Sequence, residues 1–450
     1  MSTIKVHIQP LSDEAFQHPY HIRLPLKLWQ QWNLRPREYR IKCGFQERAI
    51  DCLPSKSKEM VEISCTLANE LHLPNETLAL HLTFDHTTNH FEIGPIIAVL
   101  TTMKTDLDEP FGTLTSFYQE MARCCMKEHI LFYLFSLKHV NNEFIYGYRW
   151  QHHKWGASQL PIPHAIYNRI HSRKLESSSS VQAFFQNCEE KEIPYFNNRF
   201  LNKWEVHQAL LMYEELTPYL PESLLYEKIG DLENMMKKYN SIFAKPINGS
   251  LGKRILRIQK NNGCYSVDYS SNGHEFPNEF QSLHSLKNAL SQIIKKRHFL
   301  LQQGIPLLHF RKRPVDFRIL CNKNQLGEWK VTSGVARVSQ EQKFVSNIAQ
   351  GGEIYSINEV LSEKFNDQTV KSIKRLLLEL ALEISKRIDQ EMTGSFGEFG
   401  IDLTIDESGQ PWLLEVNSKP SKTTNDDQSM TIRPSAKAVI NFAKFLSQFS

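Results

Sequence analysis

Near the carboxyl end of the chain, residues 400–417 read GIDLTIDESGQPWLLEVN. Apolar and polar residues alternate on both sides of a turn at 406–409, and this pattern predicts a β-hairpin. Glu415 and Asn417 are two positions apart, so they point to the same face of their strand, and Asp402 lies on the partner strand. Two carboxylates and an amide oxygen are hard ligands of the kind that Mg²⁺ prefers. The three residues predict a Mg²⁺ site; the exposed polar face of an amphipathic hairpin is the alternative that this stretch leaves open.

A second motif lies upstream, where residues 243–253 read FAKPINGSLGK. A short strand is predicted to end at Lys245, and a loop with two glycines and a serine follows it. Small residues let backbone N–H groups approach phosphate oxygens, and Lys245 supplies a positive charge to them. The spacing is not that of a Walker A loop. An ordinary hairpin turn with a similar composition is the alternative.

Three further segments favour a ligand site over a plain scaffold. Residues 300–307, LLQQGIPL, predict an apolar strand that runs into a hinge between two lobes. Asp316 and Arg318 share one face of a predicted strand, and a cross-strand ion pair is the alternative to a ligand contact. In residues 337–352, RVSQEQKFVSNIAQGG, paired glycines after Asn347 indicate close backbone approach to a ligand, although a long polar loop has the same composition.

The composition limits the classes of function. Of the 450 residues, 41% are hydrophobic and 23% charged, and the net charge of +4 is too small to indicate nucleic-acid binding. No apolar run approaches the roughly 18 residues of a membrane span, and no signal peptide is evident at the amino end. The eight cysteines form no Cys-x-x-Cys pair, which is typical of a reduced chain and argues against structural zinc. We therefore expect a cytoplasmic protein that binds neither nucleic acid nor membrane.

The order of predicted elements indicates several domains. Residues 1 to about 92 alternate with a period of two and predict a small β-rich domain. An apolar strand at 94–101, a helix at 113–129 and another apolar run at 131–135 predict a βαβ unit. The four serines at 177–180 are interpreted as a loop. Helices are predicted from 203 to about 239, over about 367–390, and over about 434–449.

Taken in order, these motifs resemble the ATP-grasp superfamily and, within it, the YheC/YheD family of endospore coat-associated proteins. The resemblance is carried by residues 94–97, 202–206, 245–252, 302–305, 316–318, 346–352 and 415–420. It implies an α+β and α/β architecture, in which an ATP-grasp domain of two α+β lobes follows a small α/β pre-ATP-grasp domain and the β-rich domain. The expected boundaries are 1–92, 93–202 and 203–450, with lobes at about 203–305 and 306–450.

The resemblance also implies a role for each matching residue. The expected nucleotide-binding residues are Lys203, Lys245, Asn248, Gly249, Ser250, Gly252, Gln302, Gln303, Ile305, Asp316 and Asn347. Within this set the two lysines and the 248–252 loop bind the phosphates, the hinge holds adenine, and Asp316 contacts the ribose. Arg337 and Lys245 are the expected catalytic cations. The expected ligands of two Mg²⁺ ions are Asp402, Glu415 and Asn417, with Glu415 bridging.

Two positions depart from the pattern of the family. Gln302 and Gln303 stand in the hinge where many members have an acidic residue. Gly400 stands two positions before Asp402, where some ligases have an arginine. Stabilisation of an acyl phosphate would therefore fall to Arg337 or to another cation.

The function implied is an ATP-dependent ligase that joins a carboxylate to an amine through an acyl phosphate. Its substrates would be small molecules or peptides, and spore coat proteins are further expected partners, with a spore-associated location. The alternative from another class is a structural or interaction protein of the spore coat that keeps the fold without turnover. A kinase that uses the same site is a third interpretation.

Overall fold

A computed structural model of the chain describes residues 2–16, 21–35, 37–57, 59–103, 111–249, 253–261, 263–270, 278–294, 298–340, 352–422 and 431–449. The chain divides into two compact units. The first comprises residues 1–198, 323–328 and 421–450, and the second comprises 199–322 and 329–420.

The strands of the first unit are β1 Ser2–Leu11, β2 His21–Pro25, β3 Glu38–Cys43, β4 Gln46–Ser55, β5 Met60–Ser64, β6 Leu78–Asp85, β7 His90–Gly94, β8 Ile96–Thr101, β9 Leu131–Phe135, β10 Phe144–Gln151, β11 Lys154–Pro161, β12 Ala165–Arg169 and β13 Tyr195–Phe196. The strands that follow are β14 Ser223–Leu225, β15 Ser241–Pro246, β16 Leu256–Asn261, β17 Cys264–Tyr269, β18 Glu279–Phe280, β19 Phe299–Gln303, β20 His309–Phe310, β21 Arg313–Lys323, β22 Trp329–Val338, β23 Glu353–Tyr355, β24 Glu398–Ile405 and β25 Pro411–Asn417. The helices are α1 Leu26–Gln31, α2 Cys65–Glu70, α3 Thr115–Lys127, α4 Arg173–Glu176, α5 Ser179–Glu190, α6 Lys203–Leu211, α7 Ile229–Lys238, α8 Leu283–Ile294, α9 Ile357–Ser362, α10 Asp367–Glu391 and α11 Pro434–Leu446.

The first unit begins with a closed barrel in the order β1-β5-β2-β4-β3-β7-β6. A six-stranded sheet follows in the order β11-β10-β9-β8-β12-β13, and β8 lies parallel to both β9 and β12. Strand β8, helix α3 and strand β9 therefore form the βαβ unit that the sequence predicts. The residues of β8 are all buried, as expected for a parallel strand covered on both faces.

Helix α11 packs inside the first unit, against α3 and the central strands of its sheet. Its apolar face, including Val439, Ile440 and Phe442, joins the same core as Phe117 and Met121. An ion pair beside this core links Arg433 to Glu120, with Nη2 and Oε1 at 2.7 Å. Residues 421–450, which the sequence groups with the ATP-grasp lobes, therefore lie in the first unit.

The second unit contains two sheets. One has the order β14-β19-β15-β16-β17-β18, and the other has the order β23-β22-β21-β24-β25, with β20 on β21. Helix α10 lies against the second sheet with Leu377, Leu380, Ile384 and Ile388 buried, and it coincides with the helix predicted over about 367–390. Two details differ from the prediction: β14 interrupts the helical stretch 203–239, and two of the four serines open α5, with Ser178 as N-cap.

Candidate functional site

Lys203 stands at the first position of α6. The helix begins there because the Asn202 side chain accepts from backbone N–H groups of the first turn while the Glu205 side chain accepts from the Asn202 N–H, a capping box. The Lys203 ammonium donates to Glu415 Oε1 at 2.9 Å and to the carbonyl oxygen of Gly249 at 3.0 Å. One lysine therefore joins the start of the predicted phosphate loop to a predicted metal ligand.

Lys245 and Gln302 lie on adjacent strands of the first sheet of this unit. Strand β15 pairs with β19, and the Lys245 ammonium donates to Gln302 Oε1. The Gln302 amide in turn donates to Ser223 Oγ at 3.1 Å. Burial, and then the positive charge of Lys203, lower the pKa of Lys245 to about 8, although Glu415 opposes this shift. Lys245 therefore titrates near neutral pH and responds to any negative charge placed beside it.

A single pocket brings these segments together. Lys203, Lys245, Gln302 and Glu415 all line it. Its other walls are mostly apolar and include Leu201, Val206, Leu220, Leu300, Leu413 and Val416. An apolar cavity with a few convergent polar groups is the usual form of a small-molecule site.

The hairpin of β24 and β25 places the predicted metal ligands side by side. Asp402 is the cross-strand partner of Glu415, and Asn417 is the partner of Gly400. The Asn417 amide nitrogen donates to Asp402 Oδ2 at 3.2 Å. The register shifts just after Asp402, which is the irregularity of a β-bulge. Such a bulge re-aims neighbouring side chains, and here it lies directly beside two of the three predicted ligands.

Two arginines and two aspartates form a buried cluster next to the hairpin. Arg318 donates to Asp402 through Nε and through Nη2, the second at 2.8 Å. Arg337 donates through Nε to Asp316 and has Nη2 3.1 Å from Asp402 Oδ2. Burial of Asp402 raises its pKa, but Arg318 and Arg337 outweigh this effect and hold the pKa below its usual value. Asp402 is therefore ionised at neutral pH.

The chemistry of this donor set fits Mg²⁺. Among the described residues, no group of three or more His, Cys, Asp or Glu side chains is placed to hold a metal ion. The set instead has two carboxylates and one amide oxygen, which is enough for an ion that keeps several water and phosphate oxygens as ligands. It lacks the nitrogen and sulfur donors that zinc prefers.

Other residues predicted from the sequence lie around the same unit. Gln303 belongs to β19, where its backbone N–H donates to the Glu222 carbonyl at 2.8 Å. Ile305 follows in the connection after β19 and is buried. Asn248 and Gly249 lie just after β15, and Gly249 reaches Lys203 as described above. The predicted nucleotide ligands Ser250, Gly252 and Asn347 lie outside the described residues.

Asp316 lies beside Arg337, in the same cluster as Asp402. Asp316 and Arg318 each pair with a residue of a neighbouring strand, so the cross-strand ion pairs that the sequence left open as an alternative are present. The ribose contact assigned to Asp316 stays a prediction.

Arg318 is the functional candidate to which the sequence assigned no role. The signal was present, since Arg318 is two positions after Asp316 and so shares its face of β21. Gly400 explains how Arg318 fits: a Cβ at this position would lie 3.4 Å from Arg318 Cδ and 2.7 Å from Pro420 Cβ. The Arg318 side chain lies next to the position that a side chain at residue 400 would occupy. The pocket residues His207 and Leu414 had no sequence signal at all.

The chain is similar in sequence to known proteins. The family model described as "YheC/D like ATP-grasp" matches residues 192–446. The chain is 29% identical over 391 residues to the endospore coat-associated protein YheD of Bacillus subtilis (strain 168), covering 85% of each chain. It is 21% identical over 272 residues to the endospore coat-associated protein YheC of the same organism, covering 60% of this chain and 73% of that protein.

Among solved structures, D-alanyl-alanine synthetase A from Vibrio cholerae O1 biovar eltor is similar at a TM-score of 0.45 and 15% identity. The similarity covers 78% of this chain and 96% of that one. No helix among the described residues is both long enough and apolar enough to cross a membrane.

Proposed function

Because the chain belongs to the YheC/D-like ATP-grasp family and has the fold of that family, we propose that it binds ATP with Mg²⁺ and joins a carboxylate to an amine. The observation that carries this proposal is the single pocket lined by Lys203, Lys245, Gln302 and Glu415. Two ammonium groups, a hinge amide and a metal-type carboxylate are what a nucleotide with its metal needs. A pure scaffold has no physical use for this combination.

In the proposed complex, Lys203 and Lys245 bind the β- and γ-phosphates, and the hinge residues Gln302, Gln303 and Ile305 hold adenine. Asp402, Glu415 and Asn417 would hold Mg²⁺, and the bound ion would supply positive charge to the transferring phosphoryl group. Arg337 adds a fixed positive charge beside Asp402.

The proposed reaction has two steps. A substrate carboxylate oxygen attacks the γ-phosphorus, which forms an acyl phosphate and releases ADP. An amine then attacks the acyl carbon, forms the amide bond and displaces inorganic phosphate, while the proton of the amine passes to solvent. The cations around the site stabilise the charge on the phosphoryl oxygens in the first step, and exclusion of water by the apolar pocket walls protects the intermediate.

A second candidate function follows from the names of the relatives, both of which are endospore coat-associated proteins. In this alternative the chain binds ATP and has a structural role in the spore coat, without turnover. Spore association is part of both proposals. The domain boundaries at 92 and 202 likewise remain proposals.

Release of ADP from the purified chain separates the two candidates. We expect ADP to form over many turnovers from ATP and Mg²⁺ only when a carboxylate and an amine substrate are both present, because without the amine the acyl phosphate stays in the site after the first turnover. The measurement is coupled detection of ADP across mixtures of amino acids, dicarboxylates and acidic peptides, with mass spectrometry of the products. A phosphorylated product would indicate a kinase, and ATP binding without ADP release in any mixture would favour the structural role.

The pH dependence of ATP binding tests the role of Lys245. Its pKa of about 8 in the free protein rises when phosphate charge arrives, so binding should take up a fraction of a proton near pH 8. Affinity should accordingly be retained below that pH and fall as the pH rises through it. Calorimetry at about pH 8 in two buffers of different ionisation enthalpy measures the uptake. Lys245→Arg, which stays charged, should bind without this uptake; equal uptake in both proteins would contradict the prediction.

A further inference from the structure

The carboxylate of Asp402 is almost completely covered by hydrogen-bond donors of the protein itself. Arg318 Nε donates to Oδ1, and Oδ2 receives Arg318 Nη2 at 2.8 Å and Asn417 Nδ2 at 3.2 Å. Arg337 Nη2 lies 3.1 Å from the same Oδ2. An ionised carboxylate offers about four lone-pair directions. Three donors converge on Oδ2, so that oxygen has no direction left for a metal ion.

The charges of the cluster are also already balanced. Arg318 and Arg337 contribute two positive charges, and Asp316 and Asp402 contribute two negative ones. The side chains of Arg318 and Asp402 are only 13% and 9% exposed, so water screens them poorly. A divalent cation entering this cluster would bring two positive charges to a site where both described carboxylates, Asp316 and Asp402, already pair with arginines.

Glu415, the second carboxylate of the proposed metal site, is also paired with a cation, although its side chain is more exposed, at 28%. Its Oε1 accepts from the Lys203 ammonium at 2.9 Å. Both carboxylates of the site are therefore held by cations of the chain, and each of these cations is a group with high affinity for phosphate.

We propose that Arg318 is a positioning residue that holds Asp402 in place of the metal and makes metal binding conditional on the nucleotide. The inference rests on the proposed metal role of Asp402. ATP brings four negative charges and phosphate oxygens that accept the planar guanidinium fork as well as a carboxylate does. Arg318 turns to these oxygens and releases Asp402, so nucleotide and metal bind together. Gly400 leaves the space in which the Arg318 side chain lies and moves, since a Cβ there would come within 3.5 Å of its Nε.

Binding of Mn²⁺, followed by the paramagnetic resonance signal of the free ion, tests this inference on the full chain. The wild-type chain should bind Mn²⁺ weakly alone and at least tenfold more tightly once ATP is present. Arg318→Met removes the donor to Asp402 Oδ1 and one of the donors to Asp402 Oδ2. This variant should therefore bind Mn²⁺ without ATP at least tenfold more tightly than wild type. A role that is only structural would not produce such a gain.

Two variants control the measurement. Arg313→Met removes another two-pronged arginine–carboxylate pair from the same strand, that with Glu353, and should leave Mn²⁺ binding unchanged. Arg318→Met combined with Asp402→Asn should lose the gained affinity, because the freed carboxylate is then neutral.

The outcomes separate this inference from the proposed function. If wild type binds Mn²⁺ equally well with and without ATP, or if folded Arg318→Met gains no affinity, the inference is overturned while the metal site stands. Where Arg318→Met does not fold, Arg318→Lys, which keeps the charge but cannot contact both oxygens of Asp402 through a planar fork, takes its place and should gain affinity in the same direction. If Mn²⁺ fails to bind even with ATP, the metal assignment is overturned, and this inference with it.

Discussion

Replacing Glu415 by alanine should abolish the Mg²⁺-dependent part of ATP binding. Glu415 is the residue at which the phosphate-binding and metal-binding parts of the site meet, since it faces the pocket and accepts from Lys203. The change removes a bridging metal ligand and leaves the Lys203 ammonium without its carboxylate. Where turnover occurs, we expect it to fall roughly a hundredfold or more, the order that loss of one preorganised electrostatic group costs. Calorimetric titration of ATP with and without Mg²⁺ measures the effect.

Glu407→Ala is the matched control for this prediction. Glu407 lies in the turn of the same hairpin and is exposed, so its loss should leave both binding and turnover unchanged. ATP binding in the absence of Mg²⁺ should persist in Glu415→Ala, because Lys245 and the hinge remain in place. Unchanged Mg²⁺-dependent binding would show that the metal assignment of Glu415 is wrong.

Replacing Arg337 by methionine should cost about 3–5 kcal/mol of folding stability, the usual result of removing one partner from a buried ion pair. Arg337 is 8% exposed, and its partners Asp316 and Asp402 are 5% and 6% exposed. Asp316 would lose the donor to its Oδ1, and a buried carboxylate without its cation is strongly unfavourable. Urea unfolding at neutral pH, followed by a signal from this unit, measures the change.

The loss of folding stability in Arg337→Met should be smaller in acid, and the direction of this pH dependence follows from the pKa of Asp402. The pKa is held below the ordinary value for an aspartate, so the ion pair stabilises the fold above that ordinary value and its contribution is lost as the pH falls through the lowered pKa of the folded protein. The difference between wild type and Arg337→Met should therefore be largest near neutral pH and smaller below about pH 4. A difference independent of pH would indicate that packing, and not charge, is responsible.

Arg313→Met is the control for burial. Arg313 also makes two contacts to carboxylate oxygens, both of them on Glu353, but the Glu353 side chain is 50% exposed. Pairs of this kind contribute about 0–1 kcal/mol because water competes for both partners. Equal destabilisation by the two substitutions would contradict the role assigned to the buried cluster.

Much of the fold was predictable because it depends on local periodicity. The alternation in 400–417 predicts the hairpin that β24 and β25 form, and the helical spacing in 367–390 predicts α10. The apolar run at 94–101 predicts a parallel buried strand, and β8 is one. Such patterns arise from the geometry of one element and the face it buries, so a single sequence carries them.

The partners of α11 were not predictable in this way. Its apolar face is evident in the sequence, but any apolar surface of the protein satisfies that face equally well. Its place against α3 is decided by contacts between residues more than three hundred positions apart, such as Arg433 with Glu120. Contacts between residues so distant in sequence depend on the packing of the whole core, and no local sequence pattern predicts them.

The same division holds within the candidate site. The sequence by itself determined which residue types are available and in what order, and this order was enough to identify the family and to select Lys203, Lys245, Asp402, Glu415 and Asn417. Only the tertiary structure decided that Asp402 is held by two arginines and that Glu415 is held by Lys203. The reason is physical: spacing along a strand shows which face a charge occupies, but its partner is set by the order and register of neighbouring strands. Arg318 became part of the site because β21 lies next to β24 with Arg318 opposite Asp402.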